Sequence, residues 1–280
     1  MQREKVGIVG LGLGYSLSHY LSNIGHLVVG VDIDPGSIRK PRVDAEMKSW
    51  LADKKSTPRL STDFGSLSDS DYILIFVSTP LDQGRLSVRN VMAAVGSAIE
   101  SNPGAEYAIF STLPIGGMKA IHGRFPELKI CYTPPMVKKH KFQSTFYSPP
   151  SGWQLFGGRA SRRLRAIFRG AQAPATRQIL ATEEVVEAAK LCTNPMLANK
   201  IVIANAIGSW LGLVNGKAVC EIVGADPRVG AGYFTPGGPA SGPCLPRDLT
   251  EIQAASDDGL SDLVAVLNRL NGTANLLELA

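Results

Sequence analysis

The 280-residue sequence has no uninterrupted apolar run near the ~20 residues that a bilayer span requires, so no membrane partner is expected. Cysteine is scarce: Cys131, Cys192, Cys220 and Cys244 are widely spaced, with neither a CxxC pair nor a Cys/His ligand pattern. Neither a metal site nor a disulfide framework is expected from them, and a reducing, cytoplasmic compartment is. The opening residues, MQREKVGIVG, enter a strand-like segment at once, so no signal peptide is expected. Charge of one sign does not dominate either. The net charge is +5, with basic clusters at Arg162, Arg163, Arg165 and Arg169 and at Lys138, Lys139 and Lys141. No groove-reading motif accompanies them, so nucleic acid is not an expected partner, and the modest positive excess suits an anionic small substrate.

What is present suffices for a packed core: 44% of residues are hydrophobic and 19% charged, in a chain longer than one average domain. Strand-like and helix-like stretches alternate through the first part of the chain, which implies a parallel sheet covered by helices. The strands are expected at Lys5–Val9, Leu27–Val31, Tyr72–Val77, Tyr107–Ser111, Lys129–Tyr132, Trp153–Phe156 and Arg177–Ala181. Helices are expected at Tyr15–Ile24, Val43–Leu51, Val88–Ile99, Gly116–Arg124 and Ser161–Arg169. Runs such as YILIFV, apolar without alternation, suit strands buried on both faces. From Thr182 to Leu213 the sequence predicts one long helix, apolar most of the way round and bent at Pro195. Beyond it come a short helix near Lys217–Val223, a Gly/Pro-rich loop, and helices near Asp248–Ala255 and Ser261–Leu279.

The first chemical motif lies in VGIVGLGLGYSLSHYLSNIGHLVVGVDID. A strand ends in Gly10, Gly12 and Gly14, a helix follows, and a second strand ends at Asp32, twenty residues after Gly12. Glycines let the backbone approach a pyrophosphate whose charge lies at the helix N-terminus. An acid at the end of the second strand binds the ribose hydroxyls and repels a 2′-phosphate, so NAD is favoured over NADP. Arg39 and Lys40 nearby are the feature that argues for NADP. The third glycine stands early, directly before Tyr15, so helix packing on the strand is expected to differ from the usual fingerprint. The whole reads as an α/β chain: a Rossmann-like, doubly wound parallel sheet over residues 1–181, then a helical domain built on the long helix over 182–280.

Later segments, in order, resemble the UDP-glucose/GDP-mannose dehydrogenase family. These are VSTPLDQG at 77–84, STLPIGG at 111–117, EAAKLCTN at 187–194, GADPRVG around Arg228, and PCLPRD at 243–248. The resemblance implies an NAD-dependent enzyme that oxidises a primary alcohol in two hydride transfers. It makes Cys244 the nucleophile that traps the aldehyde as a thiohemiacetal, then carries a thioester; a thiolate both attacks and leaves well. Lys190 and Asn194, four residues apart on one helix face, would stabilise the oxyanion. Asp248 would serve as acid/base partner or position water, and Thr112 would hold that water. Ser78, Thr79, Pro80, Ser111 and Arg247 join the glycines and Asp32 at the cofactor. Arg228, Lys138, Lys139, Gly237 and Gly238 fall to the substrate, with Arg228 reaching that of the neighbouring subunit in a homodimer.

Plainer readings accompany these roles. Cys131, Cys192 and Cys220 read as small buried hydrophobes, as Cys244 itself can. Lys190 can be a solvated helix lysine, and Asp248 can be an N-cap. The sequence also departs from the family pattern. Pro135 stands where the family has the glutamate that serves thioester hydrolysis, and Lys139 stands at its second glutamate. GGPASGPC replaces a loop close to Gly-Pro-Gly-Phe-Gly-Gly-Ser-Cys, so Ala240, Ser241 and Pro243 are expected to alter the pocket wall. The family's third domain, which holds much of the nucleotide, has no counterpart before Ala280, so a smaller substrate or a second protein completing the site is expected. Two alternatives follow: a single-hydride dehydrogenase of the β-hydroxyacid type, which needs no cysteine, and a cofactor-binding member with impaired catalysis.

Overall fold

The computed structural model describes residues 3–39, 48, 57–135, 152–171, 176–242, 244–256 and 259–273. Ten strands appear among them: β1 (Lys5–Val9), β2 (Leu27–Val31), β3 (Arg59–Ser61), β4 (Tyr72–Ile75), β5 (Leu81–Asp82), β6 (Arg85–Leu86), β7 (Glu106–Ile109), β8 (Ile130–Tyr132), β9 (Trp153–Gly157) and β10 (Arg177–Ala181). All but β5 and β6 form one eight-stranded sheet in the order β10-β9-β8-β7-β4-β1-β2-β3. From β3 to β8 every pairing is parallel, and the order reverses between β1 and β4. The sheet then departs from the expected all-parallel arrangement: β9 joins β8 antiparallel, through Tyr132 and Gly157, and β10 pairs parallel to β9. β5 and β6 make a separate hairpin, turned by Gln83 (φ 50°) and Gly84 (φ 79°).

Nearly every residue of β1, β4 and β7 is buried, and successive side chains join opposite core clusters, so the sheet is covered on both faces. On one face Val6, Ile8, Leu74 and Phe110 pack with Leu17 and Leu21 of α1 (Gly14–Asn23) and with Leu164, Ile167 and Phe168 of α5 (Arg162–Ala171). On the other, Val9, Ile73, Ile75 and Ile109 meet Val91 and Val95 of α3 (Arg89–Ser101) and Met118 and Ile121 of α4 (Gly117–Arg124). Burying each such Leu, Ile, Val or Phe side chain contributes roughly 1.5–3 kcal/mol. A short helix α2 (Pro35–Arg39) follows β2. The helix expected at Val43–Leu51 lies outside the described residues except for Lys48.

Helix α6 (Glu183–Leu211) is 29 residues long and continues through Pro195. Thr182 starts it, its hydroxyl accepting the Val185 N–H at 3.3 Å. The helix ends two residues earlier than the pattern predicts because Gly212 adopts φ +78°, and α7 (Leu213–Gly224) then runs further than the short helix expected there. A Cβ on Gly216 would lie 2.6 Å from the Cα of Gly208, so the two helices pack with their backbones in contact. Helices α8 (Leu245–Ala255) and α9 (Gly259–Thr273) complete the described chain. By its contacts the chain divides into two compact units: Met1–Pro80 with Ser87–Glu187, and Leu81–Leu86 with Ala188–Ala280. No helix among the described residues is long and apolar enough to cross a membrane.

Candidate active site

In the first unit, the carboxyl ends of β1 and β4 flank the point where strand order reverses, where open α/β sheets bind ligands. Gly10 has φ +91°, and a Cβ there would lie 2.7 Å from the Phe76 carbonyl oxygen, so no other residue suits the turn. Gly14 opens α1, and its missing Cβ would lie 2.8 Å from Ile8 Cγ2. The early third glycine therefore does permit close helix–strand packing. A Cβ on Gly12, by contrast, would meet nothing within 4 Å: the chain leaves space over its backbone. Leu13, at the N-cap of α1, makes no side-chain cap, and no acid stands in the first turn. Those N–H groups are left to face an anion. Asp32 directly follows β2, with one carboxylate oxygen accepting the Leu11 N–H at 2.6 Å and the other the Asp34 N–H at 2.9 Å. Its remaining lone pairs can take two ribose hydroxyls. Open space at Gly12, an uncapped helix and an oriented carboxylate together fit a dinucleotide.

The loops after β4 and β7 are tied together. Ser111 Oγ donates to the Val77 carbonyl at 2.6 Å, so its proton is committed within the protein. Ser78 is exposed and accepts from Asn90 Nδ2 through both its carbonyl and its hydroxyl, at 3.1 and 3.2 Å. Thr79 is buried, and the Pro80 carbonyl accepts from Ser87 N–H at 2.9 Å, closing the base of the β5–β6 hairpin. Thr112 is half-buried on the loop after β7. The far end of that loop is held by Glu187, a residue the sequence does not single out. Its carboxylate accepts the N–H groups of Gly116 (2.7 Å) and Met118 (2.6 Å), and burial pushes its carboxyl above the usual range against those two bonds. The only hint in sequence is an acid three residues before Lys190 on an otherwise apolar helix.

In the second unit, α8 begins at Leu245, three residues before its expected start. Cys244 is therefore its N-cap, with its carbonyl accepting the Asp248 N–H at 3.0 Å, and Asp248 lies inside the first turn rather than capping it. Pro246, which has no N–H to leave unpaired, suits this first turn. Asp248 is fully buried. One oxygen accepts from Asn194 Nδ2 at 2.6 Å, and the other takes Arg247, at 2.9 Å to Nε and 2.7 Å to the guanidinium nitrogen. Lys190 is buried one turn before Asn194. Burial pushes its ammonium below the ordinary lysine value, while the charges of Asp248 and Cys244 pull it back up. Cys244 is the exposed cysteine of the four, whereas burial raises the thiols of Cys131, Cys192 and Cys220. The fold thus brings Lys190, Asn194, Cys244, Arg247 and Asp248 together from α6 and α8.

Other expected residues stand apart. Arg228, on the turn after α7, forks its guanidinium onto Asp226, with Nη2 to Oδ2 at 2.6 Å, and remains exposed. Gly237 and Gly238 lie on the loop that leads towards Cys244. Arg39 is exposed at the end of α2. Pro135 is buried just beyond β8, whereas Lys40, Lys138, Lys139 and Pro243 lie outside the described residues.

Comparison with known proteins adds a family to this geometry. Residues 4–134 match the NAD binding domain of the UDP-glucose/GDP-mannose dehydrogenase family, and residues 184–271 match its central domain. The sequence is 25% identical to UDP-glucose 6-dehydrogenase of Streptococcus pneumoniae, over 96% of this chain and 73% of that one. It spans 59–60% of the length of further relatives bearing that name. The fold is similar to that of UDP-D-ManNAc dehydrogenase from Pyrococcus horikoshii, with TM-score 0.80 and 23% identity over 97% of this chain and 69% of that one. It is also similar to 3-hydroxyisobutyrate dehydrogenase of Mycobacterium tuberculosis, with TM-score 0.68 and 16% identity over 99% of both chains.

Proposed function

Because the chain belongs to the UDP-glucose/GDP-mannose dehydrogenase family, we propose that it oxidises a primary alcohol, on a nucleotide sugar or a smaller anionic substrate, through a covalent adduct on Cys244. NAD is the cofactor of the matched domain and supplies the hydride acceptor. The observation that carries the proposal is the exposed Cys244 at the N-cap of α8, beside buried Lys190 and Asp248 and half-buried Asn194 and Arg247.

The residues divide the work as follows. Bound NAD would accept the first hydride from the alcohol carbon, with the hydroxyl proton passing to solvent, to give an aldehyde. Cys244 Sγ adds to its carbon, and the Lys190 ammonium with the second amide hydrogen of Asn194 stabilises the oxyanion. A second NAD, when bound, would supply the acceptor for the second hydride, and the thioester left on Cys244 would be cleaved by water to the acid and the thiol. Asp248, with both oxygens engaged, orients Asn194 and Arg247 and supplies the counter-charge that favours protonated Lys190. With Pro135 at the place of the family glutamate, cleavage is the slow step. The experiment that tests this reading compares NADH formation by wild type and Cys244→Ser over a panel of UDP-sugars, GDP-mannose and smaller anionic alcohols.

A second reading keeps one hydride transfer without the adduct. Pro135 and the end-to-end match to a hydroxyacid dehydrogenase fold support it, and the same Ser variant separates the two. The preference for NAD has its own test. Hydrogen bonds to a charged group contribute about 1.5–3 kcal/mol, so Asp32→Ala should weaken NAD about 10–100-fold and narrow its advantage over NADP. Calorimetry showing tighter NADP binding to wild type would overturn the assignment.

The second unit is also proposed to form a homodimer through α6. Met196 (65% exposed), Ile203 (44%) and Trp210 (80%) recur at seven-residue spacing on it, an apolar stripe facing solvent, with Val214 and Ile222 exposed on α7. Sedimentation equilibrium should give a dimer at micromolar concentration and a monomer for Ile203→Glu. A monomeric wild type at that concentration contradicts the proposal.

A further inference from the structure

The glycine-rich segment before Cys244 has no regular secondary structure, yet its backbone is held at four points. Asn205, on α6, accepts the Gly237 N–H at 3.0 Å and donates to the Gly238 carbonyl at 2.8 Å. Asn271, near the end of α9, accepts the Ala240 N–H at 2.6 Å and donates to the Ala240 carbonyl at 2.9 Å. All five residues belong to the second unit. From these bonds we infer that Asn205 and Asn271 are positioning residues that preform the substrate loop ahead of the thiol. The inference rests on the reading of Gly237 and Gly238 as substrate-binding.

The physical case begins with the loop's freedom. Gly237 (φ +134°) and Gly242 (φ +91°) occupy conformations open to glycine, and fixing each residue of such a loop costs about 1–2 kcal/mol. If substrate had to order the loop, that cost would come out of its binding energy. A carboxamide presents one acceptor and one donor in a plane, as a peptide group does. It can therefore satisfy a backbone N–H and a backbone carbonyl together, as a neighbouring strand would. Aspartate lacks the donor and would set a charge against the carbonyl.

The placement ties the loop to the chemistry. Asn205 is on the same helix as Lys190 and Asn194, and Ala240 is four residues before Cys244. Ala240 is itself buried, so its methyl group, where the family pattern has phenylalanine, lies in the protein interior beside the Asn271 clamp. Asn271 lies in no motif the sequence singles out, whereas Asn205 ends NKIVIAN at 199–205, a segment that continues the long helix in the family manner. Each asparagine is more than thirty residues from the backbone it holds, so the sequence does not show the clamp.

The experiment uses the full chain with NAD and whichever of UDP-glucose, UDP-D-ManNAc or GDP-mannose the wild type oxidises. Asn271, half-buried near a helix end, is varied first, as Asn271→Ala and Asn271→Asp, because buried Asn205 risks the fold. Losing two hydrogen bonds worth about 1 kcal/mol together should raise KM for the sugar roughly 5–10-fold, keep kcat within about threefold, and leave NAD affinity unchanged. Amide exchange at residues 237–240 should accelerate in the same variants, with Asn271→Asp more affected than Asn271→Ala. Wild-type KM or wild-type exchange in both variants overturns the inference, and so does a fall in kcat and NAD affinity together, which marks general loosening. A wild type that oxidises none of the three sugars counts against the functional reading and against a substrate role for the loop. Exchange at 237–240 still decides, in that case, whether the asparagines order it.

Discussion

Cys244→Ser is expected to abolish acid formation, lowering turnover by at least about 10³-fold, while leaving NAD binding intact. A serine hydroxyl is far less acidic than a thiol, and its ester is a poorer acyl carrier than a thioester. No other cysteine can stand in, because burial raises the thiols of Cys131, Cys192 and Cys220. For the same reason iodoacetamide should label Cys244 first among the four. On the proposed reading, in which Pro135 stands at the place of the family's hydrolytic glutamate, intact-protein mass spectrometry of wild type with substrate and NAD should show a substrate-sized adduct. That adduct should vanish in the serine variant. If Cys244→Ser turns over like wild type, the covalent mechanism is wrong and the single-hydride reading replaces it.

Lys190→Ala should lower kcat by about 10²–10³-fold, the usual loss when one oxyanion-stabilising group is removed. The role requires a protonated ammonium, yet burial holds the group below its ordinary value of 10.5. Activity should therefore fall with rising pH on a limb that begins below 10.5. Lys190→Arg, whose guanidinium does not deprotonate, should lose that limb whatever activity it keeps. Stability should move the other way. A lysine whose folded pKa is depressed binds its proton more weakly in the folded than in the unfolded chain. The charged side chain thus destabilises the fold at neutral pH, and that penalty is relieved as pH rises from the folded pKa towards 10.5. Lys190→Met should accordingly melt higher than wild type near neutral pH, since Asp248 keeps Asn194 and Arg247 as partners. A kcat within threefold of wild type for Lys190→Ala would show that this lysine is structural.

The sequence by itself determined whatever depends on near neighbours in the chain. Strands at Lys5–Val9, Leu27–Val31 and Arg177–Ala181 have the expected bounds, because a short run of apolar or β-branched residues carries its own periodicity. The glycine turn before α1 was legible because Gly10 takes φ +91° in the turn and Gly14 packs on nearby Ile8, and Asp32 because strand and helix lengths set its distance; that Gly10 must also clear the Phe76 carbonyl was not. Lys190 and Asn194 were legible as a pair through their resemblance to the family's Lys-x-x-x-Asn segment, whose spacing puts both on one helix face. Tertiary structure decided the rest. Two-residue strands in LDQGRL carry no period, so the hairpin was illegible; its place is set by Glu251 on α8, which accepts the Leu86 N–H at 2.6 Å and pairs with Arg85. The reversal of β9 and β10 depends on which edge of the sheet remains open, and residue order in the segment does not encode that. The partners of Glu187, Asn205, Asn271 and Glu251 were illegible for one reason. A buried polar side chain must find a partner, but that partner comes from wherever the folded chain returns, 31 to 165 residues away in these four cases. Short motifs and their resemblance to a family therefore named the candidate side chains, and long-range closure of the chain decided which groups hold them in place.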